Sequence, residues 1–306
     1  MKFNKLTGSV LAGATLLSLL APATVSAATE NGNAAANGGT ALPQTDNTKV
    51  GISFGDNTHN SNTGYLRLQM VPHILDFGNH TLLDAAYPTF TADGMNEGKK
   101  DNTRYPNYEN GDTNKTAVLN TKGDAALSSV DGKAWATVVD KQITRTAAEE
   151  TGKNTAASGD WTLSVKSNNE LTAVDSQGNA MPNDSISDAT LSFKNTASAQ
   201  TQDVYGLTQE GQDKTWTDDV AALKAANPAL ETPAAVSTVT PNIGLTLAKT
   251  AGTDVTVATA KAAEGQGANV FGWNTNDIKL TMPKTASVDN AVYQADLTWT
   301  LSSTVA

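Results

Sequence analysis

Apolar and polar residues alternate strictly over ten positions near the C-terminal end of the chain. The apolar positions are Tyr293, Ala295, Leu297, Trp299 and Leu301. The polar positions are Gln294, Asp296, Thr298, Thr300 and Ser302. A period of two predicts a β-strand with one face in a core and the other face in water.

A shorter copy of this pattern lies upstream. Its apolar positions are Trp161, Leu163 and Val165, and its polar positions are Thr162, Ser164 and Lys166. Both segments contain Trp-Thr-Leu. We therefore predict two tryptophan-bearing strands, and we expect Trp161 and Trp299 to lie near each other in the fold.

Further alternating runs cover the chain from residue 49 onward, separated by turn residues such as Asn110-Gly111-Asp112 and Asp131-Gly132. Their apolar positions include Leu66, Leu68, Met70, Leu191, Phe193, Leu245, Leu247, Val255, Val257, Ile278, Leu280 and Met282. Many short strands of this kind predict an all-β protein, an antiparallel β-sandwich or a barrel-like domain. The segment 217–226 differs, because acids at its start and good helix formers before Pro228 predict one short helical insertion.

The first residues have the pattern of a secretion signal. Lys2 and Lys5 precede a Leu-rich apolar run, and Val25-Ser26-Ala27 forms a small-residue cleavage site. We predict a signal peptide over 1–27, a flexible leader over 28–48 that is rich in Ala, Asn, Gly and Thr, and a β domain over 49–306. This domain includes an elaborated insertion at about 195–265.

Charge and cysteine content narrow the function classes. The formal net charge is -10, and loss of Lys2 and Lys5 with the signal peptide would make it -12. Such an acidic chain is not expected to bind nucleic acid or anionic lipid by charge. The chain has no cysteine, so an exported domain would depend on its core for stability.

No catalytic constellation emerges from the motifs. His73 and His80 are seven residues apart, which fits neither a helical metal pair nor the usual zinc spacing, and we expect exposed or edge histidines. Neighbouring acids such as Glu149-Glu150 diverge on a strand or a helix. We therefore predict a protein that is not an enzyme and that has no catalytic residues, no bound metal and no cofactor.

The tryptophans are the main candidates for binding. Their rings could stack on sugars, but burial in the core is the alternative for Trp161 and Trp299, and the sequence leaves both open. Trp216 and Trp273 stand beside polar residues or glycine, so we expect them to be exposed.

Four segments in order resemble the WxL domain family of Gram-positive surface proteins. They are Val71-Pro72-His73-Ile74-Leu75-Asp76-Phe77-Gly78, the region from Trp135 to Arg145, the proximal motif Gly159-Asp160-Trp161-Thr162-Leu163-Ser164-Val165, and the distal motif Tyr293-Gln294-Ala295-Asp296-Leu297-Thr298-Trp299-Thr300-Leu301. The proline that usually follows the distal motif in this family is replaced here by Ser and Thr. The resemblance assigns the ligand or motif face to Trp161, Leu163, Tyr293, Leu297, Trp299 and Leu301.

The resemblance implies a non-catalytic, secreted protein that is attached non-covalently to the cell wall, with peptidoglycan as its ligand. The implied partners are a WxL-interacting membrane-anchored protein and LPxTG-type surface proteins. Leu42-Pro43-Gln44-Thr45 is similar to an LPxTG sorting signal, but Asp46 replaces the required glycine, so we expect no covalent anchor. The alternative is an adhesin or scaffold subunit whose main contact is a partner protein.

Overall fold

A computed structural model describes residues 39–40, 42–50, 62–80, 83–99, 116–144, 158–175, 179–228, 230, 233–289 and 291–303. The expected signal peptide therefore lies outside the described residues. In chain order, the strands of the described parts are β1 (Gln44–Val50), β2 (Leu66–Met70), β3 (Ile74–Leu75), β4 (Thr89–Thr91), β5 (Ala134–Asp140), β6 (Trp161–Ser167), β7 (Leu171–Val174), β8 (Ala180–Ile186), β9 (Ala189–Phe193), β10 (Ala197–Thr201), β11 (Thr238–Val239), β12 (Ile243–Leu247), β13 (Val255–Ala260), β14 (Gly267–Trp273), β15 (Ile278–Thr281) and β16 (Val292–Ser303).

These strands form three sheets. The motif sheet, which contains both tryptophan strands, has the order β11-β13-β6-β16-β1-β3, and the β7–β8 hairpin extends it through β16. The second sheet has the order β10-β14-β5-β2, and the third has the order β12-β9-β15-β4. Within the described residues, β1 and β3 are parallel and the other strand pairs are antiparallel.

One hydrophobic core joins the three sheets. It contains Leu163 and Leu297 from the motif sheet, Leu68 and Phe271 from the second sheet, and Phe193 from the third. Strand alternation turns the threonines of β9 and β16 outward, while their apolar residues point into this core. The predicted all-β, antiparallel class is confirmed, and the shared core gives a sandwich-like arrangement.

The predicted helical insertion is also confirmed. A short helix, α1 (Val204–Thr208), precedes α2 (Trp216–Ala226), and α2 has Asp218 and Asp219 in its first turn. These acids interact favourably with the positive end of the helix. In the described parts of the chain, the helices fall short of what a membrane crossing requires in length and apolarity.

A buried ion cluster fastens this helical region to the sheets. The Arg67 guanidinium lies 2.5 Å from the carboxylate of Asp213, and the Lys141 ammonium lies 2.9 Å from the same carboxylate. Burial opposes the charge of Asp213, but hydrogen bonds from Arg67, Thr208 and Lys141 outweigh this effect and hold its pKa below the usual range. Removal of one partner would leave a buried charge without compensation.

Two expectations from the sequence were wrong. The leader expected over 28–48 ends earlier, because β1 begins at Gln44 and pairs along β16 from Gln44 opposite Leu301 to Val50 opposite Ala295. Trp216 and Trp273, expected to be exposed, are 2% and 0% exposed. Polar neighbours in sequence are uninformative here, since Trp273 ends a strand that is buried along its whole length. The other domain boundaries stay predictions, although strands of 195–265 belong to all three sheets.

Candidate functional site

The two tryptophan strands lie side by side in the motif sheet. β6 and β16 are antiparallel, with Leu163 opposite Leu301 and Val165 opposite Trp299. The even spacing of these residues places both tryptophan rings on the core side of the sheet. Trp161 and Trp299 therefore lie on neighbouring strands, as expected, but the two residues are four residue pairs apart along the ladder.

The motif residues are almost entirely buried. Trp161 is 1% exposed, Trp299 is 0% exposed, and the motif leucines Leu163, Leu297 and Leu301 are all 0% exposed. A ring with so little accessible surface has no free face for a sugar. Of the two alternatives that the sequence left open, burial favours core packing for these tryptophans.

Aromatic side chains from all three sheets meet around the motif rings. The Trp299 ring lies 6.0 Å from the Phe193 ring and 5.9 Å from the Trp273 ring, centroid to centroid, and Phe193 lies 5.1 Å from Trp273. The Trp161 ring meets Phe271 edge-on at 6.4 Å. Such tilted and edge-to-face pairs stabilise a core by about 0.5–1.5 kcal/mol each beyond the area they bury.

The indole N–H of Trp161 donates to a buried carboxylate. Asp140, at the end of β5, accepts from Trp161 Nε1 at 3.1 Å, from the Gly159 amide at 2.7 Å and from the Gln142 amide at 3.0 Å. The side-chain amide of Gln142 donates to it as well, at 3.3 Å. The carboxylate therefore ties the end of the second sheet to the start of the proximal motif.

Burial raises the pKa of Asp140 to about 6, although its hydrogen bonds with Gly159, Gln142 and Trp161 act in the opposite direction. Loss of hydration disfavours the ionised form, and the donors recover only part of that loss. Asp140 is enclosed in the core, with 0% of its surface exposed, so we assign it to architecture and not to proton transfer.

The turn before Trp161 requires a glycine. Gly159 has a positive φ of 91°, and a β-carbon there would collide with the backbone carbonyl of Lys261. The next residue, Asp160, also has a positive φ, of 54°. This left-handed pair aims the Gly159 amide at Asp140 and starts β6 with Trp161 facing the core.

The indole N–H of Trp299 has a neutral partner instead. It donates to the Thr48 hydroxyl of β1 at 2.6 Å, and that hydroxyl in turn donates to the backbone carbonyl of Pro72. Pro72 belongs to the first of the four segments on which the family resemblance was based. Each motif indole is thus bonded to a strand or turn from a distant part of the chain.

Tyr293 is the motif residue that retains some exposure. Its hydroxyl donates to the Asp184 carboxylate at 2.7 Å and accepts from the Asp289 amide at 2.9 Å. Burial and the adjacent Asp184 carboxylate raise its pKa to about 12. The side chain therefore stays neutral and fixes the start of β16 against β8.

Sequence reasoning assigned no structural role to three residues of this framework, Asp140, Thr48 and Gly159, although Asp140 and Gly159 lie within two of the segments that carry the family resemblance. An acid that directly follows the apolar pair Val138-Val139 at the end of the buried strand β5 is a usable signal for Asp140. Thr48 carries no such signal, because its neighbours in β1 are as polar as it is. Arg145 and His59 lie outside the described residues.

The histidines and acids give no alternative site in the described parts. His73 and His80 are half-buried, and burial lowers the pKa of His80, whose ring lies 4.6 Å from that of Phe90. Across the described residues, no group of three histidine, aspartate or glutamate side chains is placed to hold a metal ion.

The fold and the motif strands define a class of proteins, namely mainly antiparallel β modules with two buried Trp-x-Leu strands side by side. The chain belongs to the WxL domain surface cell wall-binding family, whose model matches residues 137–304, more than half of the chain. Membership makes it a surface protein associated with the cell wall. The match begins within β5 and includes Asp140 and both motifs, whereas Thr48 and Pro72 precede it.

Comparison with curated proteins found no significant match, and comparison with solved structures found none either.

Proposed function

We propose that this is a secreted, non-catalytic protein that is held non-covalently on the wall of a Gram-positive cell and that its wall ligand is peptidoglycan. The observation that carries the proposal is the family match over 137–304, which includes both motif strands and the buried Asp140 carboxylate that accepts from Trp161. The signal-sequence pattern of residues 1–27 supports export.

The motif tryptophans support this function indirectly. Their burial gives them the role of joining three sheets into one rigid module, which leaves ligand contact to the outer surface. Exposed large hydrophobic side chains among the described residues are Val118 and Met181, and neither is aromatic. Contact with the wall therefore depends on polar groups, each of them weak, and a repeating polymer lets many copies act together.

Sedimentation with purified sacculi, freed of proteins and teichoic acids, tests the proposal. We expect the purified protein to sediment with sacculi without any added partner. Sedimentation that occurs only after a membrane-anchored or LPxTG-type surface protein is added would favour the alternative role of a scaffold subunit. A protein that stays in the supernatant in both cases would contradict the proposal.

A further inference from the structure

We propose that the outer face of the motif sheet is the surface that contacts the wall, and that it binds the neutral glycan strands through a row of hydroxyl groups. The row consists of Thr45, Thr300, Ser164 and Thr256, one from each of β1, β16, β6 and β13. This inference rests on the proposed function and adds the place of contact and the part of the wall that is contacted.

Strand register aligns the four hydroxyl residues. Thr45 is paired with Thr300, Thr300 with Ser164, and Ser164 with Thr256. Neighbouring strands are about 4.8 Å apart, so the row crosses the sheet over roughly 14 Å. Thr45 and Thr256 at its ends are exposed, Thr300 is half-buried, and the smaller Ser164 is 9% exposed.

Two flanking rows extend the same polar face. Ser302, Thr162 and Thr259 form one row, and Asn47, Thr298 and Lys166 form the other. Each lies about 7 Å from the central row, which is the distance between alternate residues of a strand. The face is therefore a grid of hydroxyl and amide groups on a rigid sheet. Trp161 and Trp299 pack into the core on the opposite face of the same sheet.

The hydroxyls of the central row have no hydrogen-bond partner among the described residues, whereas the flanking rows bond internally. Thr298 Oγ1 lies 3.0 Å from Asn47 Oδ1 and 2.9 Å from Asn168 Nδ2, and the hydroxyls of Thr162 and Thr259 lie 3.3 Å apart. The flanking rows are thus held in place by their own bonds. The central row keeps its donors and acceptors for water or for a ligand.

Charge favours a neutral ligand. The described side chains that point outward from these four strands include one cation, Lys166, and one anion, Asp296, in a chain whose net charge is -10. An acidic protein repels the anionic polymers of a wall, while an uncharged sugar chain meets no such barrier. A glycan strand also presents hydroxyl and amide groups that match those of the grid.

The sheet edges are less suited to a partner. Along its main path the motif sheet ends in β3 and β11, and each of these strands is two residues long. Its third edge is β8, which is seven residues long and contains Pro182 and Asp184. Short strands, proline and charge at an edge discourage the addition of a further strand, so the broad face is the better surface for a ligand.

A second threonine row provides a matched control. On the third sheet, Thr246 is paired with Thr190, Thr190 with Thr281, and Thr281 with Thr89. Both Thr190 and Thr246 are exposed, and each is β-branched like Thr45 and Thr300. The hydroxyls of Thr89 and Thr281, however, are 3.0 Å apart and bond to each other.

The test compares T45V/T300V with T190V/T246V. Valine keeps the shape and strand preference of threonine and removes its hydroxyl, so both double variants should fold. We expect T45V/T300V to bind sacculi about fivefold or more weakly than the parent protein, because two hydrogen bonds are lost. We expect T190V/T246V to bind as the parent does. Equal binding by all three proteins, or equal loss in both variants, would overturn the inference.

Single arginine variants keep the test decisive if the double variants are unstable. Thr45→Arg places a long side chain on the row at an exposed position, and Thr190→Arg does the same on the third sheet as the control. We expect Thr45→Arg to bind sacculi more weakly than the parent protein and Thr190→Arg to bind as the parent does. Two probes separate the components of the wall: intact sacculi, and soluble chitin oligosaccharides, which are neutral N-acetylglucosamine chains without peptides. Binding to sacculi but not to chitin oligosaccharides would overturn the choice of a neutral glycan. A parent protein that binds neither would contradict the proposed function itself.

Discussion

The proximal and distal motifs have the same side chains on neighbouring strands, yet their indole groups are satisfied differently. Trp161 donates to the buried Asp140 carboxylate, which also receives three N–H donors from Gly159 and Gln142. Trp299 donates to the neutral Thr48 hydroxyl. The proximal bond lies within the region matched by the family, whereas the distal bond depends on an N-terminal strand outside it.

The difference shows how one sequence motif can join different strands. We call the contact of Trp161 with Asp140 the proximal junction and the contact of Trp299 with Thr48 the distal junction. Trp161 joins the motif sheet to β5 of the second sheet through a charge that is costly to bury. Trp299 joins β16 to β1 within its own sheet, and its ring supplies the contact with the other sheets through Phe193 and Trp273. Electrostatics should therefore dominate at the proximal junction, and ring packing at the distal one.

The largest expected effect is on the free energy of unfolding when either ring is removed. Trp161→Ala and Trp299→Ala should each cost about 3–5 kcal/mol, because each empties a large volume of the core. Trp299→Ala should cost more, since its ring touches both Phe193 and Trp273. Urea denaturation followed by circular dichroism measures both. A loss below 1 kcal/mol in either variant would contradict core packing for that residue.

The next effect should separate the two junctions. Asp140→Ala removes the acceptor that several buried N–H groups share, and we expect a cost of about 2–3 kcal/mol, within the range for a buried donor left unsatisfied. A double-mutant cycle with Trp161→Phe measures how much of this loss belongs to the indole bond. Additive losses in that cycle would show that the bond contributes nothing to stability.

A pH series should sharpen the same comparison. The pKa of Asp140 is raised from 3.8 to about 6, so its contribution to stability is fully present below about pH 4 and is lost as the pH rises through 6. Relative to Asp140→Asn, the protein should gain about 3 kcal/mol between pH 7 and pH 4. Asp213 has a lowered pKa, so the stability that its ionised carboxylate contributes is lost only at more acid pH. A constant difference from Asp140→Asn over this range would contradict the prediction.

The smallest effect on the free energy of unfolding is expected from removal of the Thr48 hydroxyl, which accepts from Trp299. Thr48→Val removes the acceptor of the Trp299 indole N–H and should cost about 1–2 kcal/mol. Its contribution should be independent of pH between 4 and 7, unlike that of Asp140. Thermal unfolding at both pH values checks this, with Thr45→Val on the outer face of β1 as the control that should change little.

The sequence was most informative where burial imposes a period on the chain. The strict alternation in β16 and the helix-forming residues of α2 predicted those elements directly. β1 was missed because Gln-Thr-Asp-Asn-Thr-Lys-Val is polar, and its inward residues Gln44 and Thr48 are satisfied by hydrogen bonds in place of apolar contacts. A periodicity of apolar residues cannot reveal such a strand.

The candidate site was harder to predict than the fold. Periodicity indicated that Trp161 and Trp299 share a type of strand face, but it could not decide between a core and a ligand. The bond between Asp140 and Trp161 joins residues 21 positions apart on different sheets. No local pattern encodes that pairing, and no local pattern marks the alignment of Thr45, Thr300, Ser164 and Thr256 across four strands.

Sacculus binding by the double variant W161F/W299F tests the central claim most directly. Phenylalanine keeps an aromatic ring in each core position but removes both indole N–H groups, and the folded fraction can be verified by circular dichroism at the assay temperature. If the motif tryptophans build the module and do not touch the wall, the folded variant should bind sacculi as tightly as the parent protein. A fully folded variant that no longer sediments with sacculi would contradict the account.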